Sequence, residues 1–341
     1  MEHRTVSADE ADIRLDRWFR RHFPALKQGA IEKLCRTGQV RVDGRRSEAS
    51  ARLVPGQLVR IPPLPVSAPA EAPAAGRLPA LDPATQQALE GMILYRDAQL
   101  IVLGKPLGLP VQGGPGIVRH LDAWLDGLRF GSEHRPRLVH RLDRDTTGVL
   151  VVARTPGVAA KLAAAFRGRT VRKTYWAVVS GRPLPEAGRI DQPLVRRKGE
   201  GHGHGARTAI AEPDDTEAAR AITDYRTLDH AARKLAWLEL TPLTGRTHQL
   251  RVHCAAIGAP ILGDVAYGEQ RNTDVRGWRN TALVAGLSEM LHLHARRLVL
   301  PHPEGGMLEV EADLPPHMAE TFATLGFAAP PAAGPRRVVS G

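Results

Sequence analysis

The chain has 341 residues, with 47 Lys or Arg against 36 Asp or Glu, a formal net charge of +11 and an isoelectric point near 10.3. That length suffices for two domains, and the charge favours a polyanionic partner. Its two cysteines, Cys35 and Cys254, exclude a disulfide framework and a Cys-x-x-Cys metal pair and suit a reducing compartment.

Met1-Glu2-His3-Arg4 leads into charged residues without the apolar core of a signal peptide, and no uncharged apolar run approaches the ~18 residues of a membrane span. A soluble, cytoplasmic chain with no membrane partner is expected. Residues 1–61 carry 13 Lys or Arg and 8 Asp or Glu. Leu15, Trp18 and Phe19 have helical spacing, as do Ala30, Ile31 and Leu34, with Gly38 as a stop. Gln39–Gly44 reads as a strand entering a hairpin turn, and Leu58–Ile61 as a strand after the Pro55-Gly56 turn. Arg14, Arg17, Arg20, Arg21 and Lys27 would dominate the outer face of the helical pair. Arg14-Leu15-Asp16, Gly38–Gly44 and Gly56-Gln57 make this segment resemble the RNA-binding domain first known from a small-subunit ribosomal protein. Asp43 stands where that family usually has Asn, and Gln57 where it usually has Asp. The resemblance implies RNA contacts from Arg14 and Arg17.

Residues 62–91 are read as a Pro/Ala-rich linker, because Pro62-Pro63-Leu64-Pro65 and the Ala-Pro alternation after it cannot form a continuous helix or sheet. A large unit, 92–328, follows, and the Pro/Ala/Gly-rich end, 329–341, is expected to be a flexible tail. Ile93–Gly108 reads as strand, Asp-containing turn, strand and a Lys-Pro loop, which points to antiparallel pairing. In His140-Arg141-Leu142-Asp143-Arg144-Asp145-Thr146-Thr147-Gly148, Asp143 stands between two basic residues just before the apolar run Val149–Ala153. A carboxylate at such a place needs pairing to stay charged, and neighbouring arginines lower its pKa. An isolated Arg-x-Asp is more often a structural ion pair than a reacting group, so other segments must decide its role.

Thr155-Pro156 supplies an N-cap and first-turn proline for a helix through Ala159, Leu162 and Phe166 to Gly168. Val171–Val179 is a strand with Lys173, Tyr175 and Ala177 on one face; a lone Tyr there is more often core than catalytic. The glycine-rich segment 199–205, which holds His202 and His204, reads as an exposed loop. A helix from near Thr247 to Gly258 would bury Leu250, Cys254 and Ile257. Arg246 and Arg251, in its opening loop and early turns, could meet a phosphate or a carboxylate.

The segments 140–148, Lys173-Thr174-Tyr175, 244–258, Gly263-Asp264 with Tyr267-Gly268, and Leu291–Ala295 with His302-Pro303 occur in one order. Over about residues 92–315 the chain thereby resembles the RluA family of RNA pseudouridine synthases. The resemblance implies an α+β fold with a large mixed, mainly antiparallel sheet and flanking helices. It implies that Asp143 is the catalytic Asp and Tyr175 the active-site Tyr that packs on the target uracil and assists proton removal at carbon-5. Arg251 would pair with the catalytic carboxylate, beside Leu250, and Arg141 would fill the gap left by a flipped uridine. Lys173, Arg246 and Leu250 complete the RNA-binding surface.

Isomerising uridine breaks a nitrogen–carbon glycosidic bond, turns the held base and rejoins it through carbon-5. Unstacking the base costs a few kcal/mol, offset in part by stacking on an aromatic and a guanidinium. A positioned carboxylate can attack carbon or remove a ribose proton, and the residues leave both routes open. No cofactor or metal is expected: His202/His204 and His292/His294 lack a third ligand. RNA is the expected partner, ribosomal in preference to transfer RNA, and the chain is expected to be a monomer. The competing readings are a transfer RNA uridine isomerase, a non-catalytic RNA-binding ribosome assembly factor, and a metal-dependent phosphate hydrolase.

Overall fold

Backbone contacts divide the chain into two units, Met1–Arg77 and Leu78–Gly341. This computed structural model describes residues 2–7, 10, 12–23, 26, 28–64, 81–114, 116–197, 207–232, 234–268 and 286–338. Lys27, the loop at 199–205 and residues 65–80 of the expected linker lie outside the described residues.

In the first unit, helices α1 (Leu15–His22) and α2 (Gln28–Arg36) share one core with strands β2 (Arg41–Val42) and β4 (Leu58–Ile61), and β1 (Glu2–Thr5) and β3 (Arg45–Arg46) form the exposed edges of the sheet. The sheet is antiparallel, in the order β1-β4-β2-β3. Leu15, Trp18, Phe19 and Ile31 are fully buried, as their spacing predicts. The β2–β3 turn places Asp43 and Gly44 at φ of 49° and 76°, the left-handed pair that a two-residue hairpin turn needs. Asp43 Oδ1 accepts from the Leu58 amide at 2.8 Å and Oδ2 from Gln57 Nε2 at 3.0 Å, so the two residues that depart from the ribosomal-type pattern bond to each other.

The second unit begins with α3 (Pro83–Gly91), inside the span expected to be linker. Asp82 caps it by accepting from the Thr85 amide and hydroxyl, and Leu89 is buried against the sheet. A side-chain cap followed by Pro at the first turn starts a helix, a signal that the alanines and prolines before it obscured.

Next come β5 (Ile93–Arg96), β6 (Leu100–Lys105), α4 (Leu121–Trp124) with a 3-10 turn (Leu125–Leu128), β7 (Arg137–Leu138), β8 (Thr147–Ala153) and α5 (Pro156–Arg167). Then follow β9 (Arg172–Ser180), β10 (Ala187–Asp191), β11 (Leu194–Arg197), β12 (Arg207–Ile210), β13 (Ile222–Ala231) and β14 (Leu235–Pro242). Helix α6 (Gln249–Ala256), β15 (Leu293–Pro301), β16 (Met307–Glu311), α7 (Pro316–Leu325) and β17 (Arg336–Val338) complete it. β17 pairs with β16, so part of the expected tail serves as an edge strand.

One mixed sheet runs β10-β13-β14-β9-β15-β8-β6-β5, with β16, β17 and β7 attached at its sides. This is the expected α+β architecture. Residues 149–153 are apolar throughout because β8 is covered on both faces: Val149, Val151 and Ala153 pack with Val158 and Leu162 of α5, and Leu150 and Val152 with Leu89, Leu121 and Leu125. Thr155 caps α5 by accepting from the Val158 amide at 3.3 Å.

Among the described residues β8 and β15 form the one parallel pair. At that seam Leu240, Tyr175, Ala295, Gly148 and Lys105 are register partners in turn across β14, β9, β15, β8 and β6. Gly148 has φ of 105°, and a Cβ there would collide with the Ala295 carbonyl. Gly148→Ala is therefore expected to destabilise the fold by about 3 kcal/mol through strain and overpacking. Urea unfolding would show this as a lowered midpoint, and an unchanged midpoint would contradict the packing described.

Candidate active site

The acidic loop leaves β7 and enters β8 with its ends pinned. His140 Nε2 accepts from the Val151 amide at 2.8 Å while its ring stacks on Phe166 at 4.3 Å. Burial, with a smaller push from Lys173, lowers its pKa to about 3, so it stays a neutral acceptor. Leu142 is buried in the core beneath the loop. On the far side, Lys105 Nζ donates to the carbonyls of Arg144 at 2.8 Å, Pro106 at 2.8 Å and Leu109 at 3.0 Å.

Lys105 is 1% exposed. Burial brings its pKa down to about 8 against the opposing pull of Asp145 and Asp143. The three carbonyls use all three donors of an ammonium. The sequence marked this residue only as part of a Lys-Pro loop; a lysine ending an apolar strand was the available signal.

Asp143 is held between these anchors with its side chain 23% exposed. The arginines beside it in sequence do not form its ion pair: Arg144 meets Asp145 at 3.3 Å, and Arg141 is exposed. Adjacent side chains on an extended loop diverge. Among the described residues the partner of Asp143 is His248, whose Nε2 lies 4.0 Å from Oδ2.

Tyr175 reaches the same place from β9. Its ring packs against two core clusters, one containing Leu142 and the other Leu250 of α6. Burial and then the charge of Asp143 raise its pKa, which keeps the phenol protonated. Lys173, two residues earlier, is partly buried and its pKa is lowered by burial. A Cβ on Gly245 would lie 3.8 Å from Lys173 Nζ, which puts this amine beside the loop leading to α6.

That loop is locked by Gln249. Its Oε1 accepts from the Thr244 hydroxyl at 2.7 Å and the Arg246 amide at 3.1 Å, and its Nε2 donates to the Ile222 carbonyl and the Thr223 hydroxyl. The helix expected from Thr247 begins at Gln249 because His248 adopts φ of 54°, a left-handed conformation. Leu250 and Cys254 are buried on α6 as predicted. Arg246 is exposed, with its Nε donating to the Arg220 carbonyl at 3.1 Å.

Arg251 differs from its expected placement. Its Nε and Nη2 bond Asp264 Oδ2 and Oδ1, each at 2.7 Å, with the Asp264 side chain fully buried. Asp143 exerts only a longer-range Coulombic attraction on it. A bidentate pair satisfies a buried guanidinium far better than one half-exposed oxygen could. Asp264 Oδ1 also accepts from the Ala266 and Tyr267 amides, both at 3.0 Å. The guanidiniums of Arg207 and Arg251 lie over the ring of Tyr267, 4.8 and 4.9 Å from its centroid.

The structure thus gathers Asp143, Tyr175, Lys173, Leu250 and Arg251 around one place, with Arg141 near enough to act electrostatically on His248. Arg14 and Arg17 lie in the other unit. Arg17 is exposed, whereas Arg14 is engaged by Asp16 through bonds of 3.1 and 2.7 Å. His292 and His294 are buried, bonding Thr321 and Met290, and Thr147 and Ala312. Among the described residues no cluster of three or more His, Cys, Asp or Glu is placed to hold a metal, and no helix is long and apolar enough to cross a membrane.

Residues 99–256 match the RNA pseudouridylate synthase family. The chain is similar to Ribosomal large subunit pseudouridine synthase C of Rickettsia bellii, with 33% identity over 89% of this chain and 94% of that protein. It is also similar to RNA pseudouridine synthase 4, mitochondrial, of Arabidopsis thaliana, with 33% identity over 93% of this chain and 80% of that protein. Among solved structures, human RNA Pseudouridylate Synthase Domain Containing 4 is similar at a TM-score of 0.59 and 32% identity, covering 72% of this chain and 97% of that one.

Lys105 gives the site a pH signature in stability. Its pKa falls from the ordinary 10.5 to about 8 on folding, so between those values the unfolded chain binds a proton that the folded chain does not. The contribution of Lys105 to stability should be flat below pH 8 and rise from there to 10.5. The difference in unfolding free energy between wild type and Lys105→Met is expected to shift in favour of wild type across that window. A difference that stays level would contradict the lowered pKa of Lys105.

Proposed function

We propose that this chain, which belongs to the RNA pseudouridine synthase family and isomerises uridine to pseudouridine, acts on large-subunit ribosomal RNA and uses Asp143 to rearrange the glycosidic bond. The observation that carries the assignment of Asp143 is its convergence with Tyr175: a partly exposed carboxylate and a partly buried, protonated phenol meet on one loop and one strand. The ribosomal substrate rests on the names of the bacterial relatives as ribosomal large subunit pseudouridine synthases, which align with nearly the whole chain. The same similarity favours a cytoplasmic place of action.

The reaction starts with a uridine leaving its stack. Tyr175 offers the uracil an aromatic surface, and Arg141, exposed at the loop's start, occupies the space the base leaves. Lys173 and Arg246 contribute positive charge for backbone phosphates, and Leu250 packs against the uracil. Asp143 then acts on the sugar, by attack at carbon or by removal of a ribose proton; both need the ionised form. While Asp143 is charged, its field helps to keep Tyr175 protonated. Joining carbon-5 to the sugar carbon releases Asp143, and the carbon-5 proton is then removed with the help of the Tyr175 hydroxyl, which passes its own proton to solvent as it accepts this one. Asp143→Asn is expected to abolish pseudouridine formation on ribosomal RNA, measured by chemical mapping, while leaving RNA binding within about threefold, because carboxamide keeps the shape and loses the charge. Wild-type conversion by that variant would remove Asp143 from the mechanism.

The first unit, in this reading, supplies RNA affinity. Arg17, Arg20, Arg36 and Arg45 are exposed on it, and exposed cations release counterions when they meet phosphates. Replacing Arg17 and Arg20 with Ala should reduce the slope of log affinity against log salt by about one unit or more. An unchanged slope in a filter-binding titration would count against this role.

A further inference from the structure

His248 has an unusual posture for a non-glycine residue. Its backbone is left-handed, at φ 54° and ψ 18°, and this conformation turns the imidazole from the start of α6 back toward the acidic loop. Such strained positions persist only where the surroundings over-determine them, and here Gln249 and Thr244 fix the loop on both sides. The two ring nitrogens then meet different partners: Nδ1 lies 2.8 Å from the Tyr267 hydroxyl, and Nε2 lies 4.0 Å from Asp143 Oδ2.

These two partners decide which nitrogen holds the proton. Nε2 faces a carboxylate oxygen, which can only accept, so the favourable arrangement puts the ring proton there and has the Tyr267 hydroxyl donate to Nδ1. A phenol that donates to Nδ1 leaves the proton of the neutral ring on Nε2. The phenol is restrained in place: the guanidiniums of Arg207 and Arg251 both lie over its ring, which is buried, and its backbone amide is bonded to Asp264. The ring is kept neutral as well: burial lowers its pKa most, Arg251 and Arg141 add to that, and Asp143 and Asp264 oppose it.

We infer that Tyr267 fixes His248 as the neutral Nε2–H tautomer, and that this N–H is a positioning donor that holds Oδ2 of Asp143 and leaves its other oxygen for the substrate. The inference rests on the reading of Asp143 as the reacting carboxylate. The 4.0 Å separation exceeds a hydrogen bond by about 1 Å. A small rotation of either side chain closes it, as catalytic hydrogen bonds tighten when substrate binds. A neutral donor orients the carboxylate without the charge neutralisation that a guanidinium would bring, which preserves its reactivity.

Nitrogen-15 NMR of histidine-labelled wild-type protein tests the tautomer without any variant, with the His248 signal identified by its loss in His248→Gln. The expected result is Nε2–H, and Tyr267→Phe should convert it to a mixture. Kinetics test the role. His248→Asn carries its amide only as far as the Nδ1 position and should lower kcat about tenfold or more, as loss of a hydrogen bond to a charged group does, with KM for RNA nearly unchanged. His248→Gln, whose amide nitrogen falls at the Nε2 position, should recover most of that loss. A wild-type Nδ1–H tautomer, equal losses in the two variants, or a loss confined to KM would overturn the inference. Asp143→Asn run in parallel separates the two readings. If it is inactive while His248→Asn keeps the wild-type kcat, only the role of His248 fails; if it is fully active, the assignment of Asp143 fails first.

Discussion

The geometry of the site depends on the contact between Gly148 and Ala295, where two halves of the sheet join. β8 carries the acidic loop, and β9 and β15 carry Tyr175 and its register partner; the parallel seam between β8 and β15 fixes the distance from one to the other. Strands sit ≈ 4.8 Å apart in the hydrogen-bonding direction, so a row that runs Lys105, Gly148, Ala295, Tyr175 sets the loop anchor and the phenol a few strand widths apart. Only a residue without Cβ lets the Ala295 carbonyl approach this closely. Loops then need to add only the side chains, because the sheet has already aligned them.

Electrostatics at the site follow one pattern. The groups around Asp143 are partly buried, and the loss of solvent keeps Tyr175 protonated, His140 neutral and His248 biased toward neutral. Arg251, the strongest cation nearby, is held by Asp264. Asp143 therefore faces donors and dipoles more than opposing charge, which suits a carboxylate that must stay reactive. Arg251 and Asp264 act as a strut between α6 and the turn after it, and the field of that pair reaches Asp143 without a direct bond.

Local grammar was legible in the sequence wherever the cause of structure is local. Thr155-Pro156 started α5, the alternation in 171–179 gave β9, and the unbroken apolar run gave a strand covered on both faces. The order of the motifs pointed to the family, which the comparisons support across most of the chain. What sequence proximity misled about were partnerships that depend on side-chain direction. Asp143 stands between arginines along the chain, yet the side chain that faces it is His248, and Arg251 turns to Asp264. No spacing rule could foresee that a histidine would take a left-handed backbone and so shift the start of α6. Lys105 was hidden for a related reason: its bonds go to backbone carbonyls, which carry no residue identity to read.

The bond between Asp43 and Gln57 changes how departures from a family pattern should be weighed. In the ribosomal-type pattern an amide and a carboxylate occupy these turns; here the carboxylate and the amide have exchanged places, and donor still meets acceptor at 3.0 Å. Asp43 also keeps its bond to the Leu58 amide, since either residue type has an oxygen to offer. The two side chains work as one unit, a donor and an acceptor that tie the Asp43 turn to the start of β4. Changing either residue alone would strand its partner, so the turn tolerates an exchange of the pair more readily than a substitution at one end.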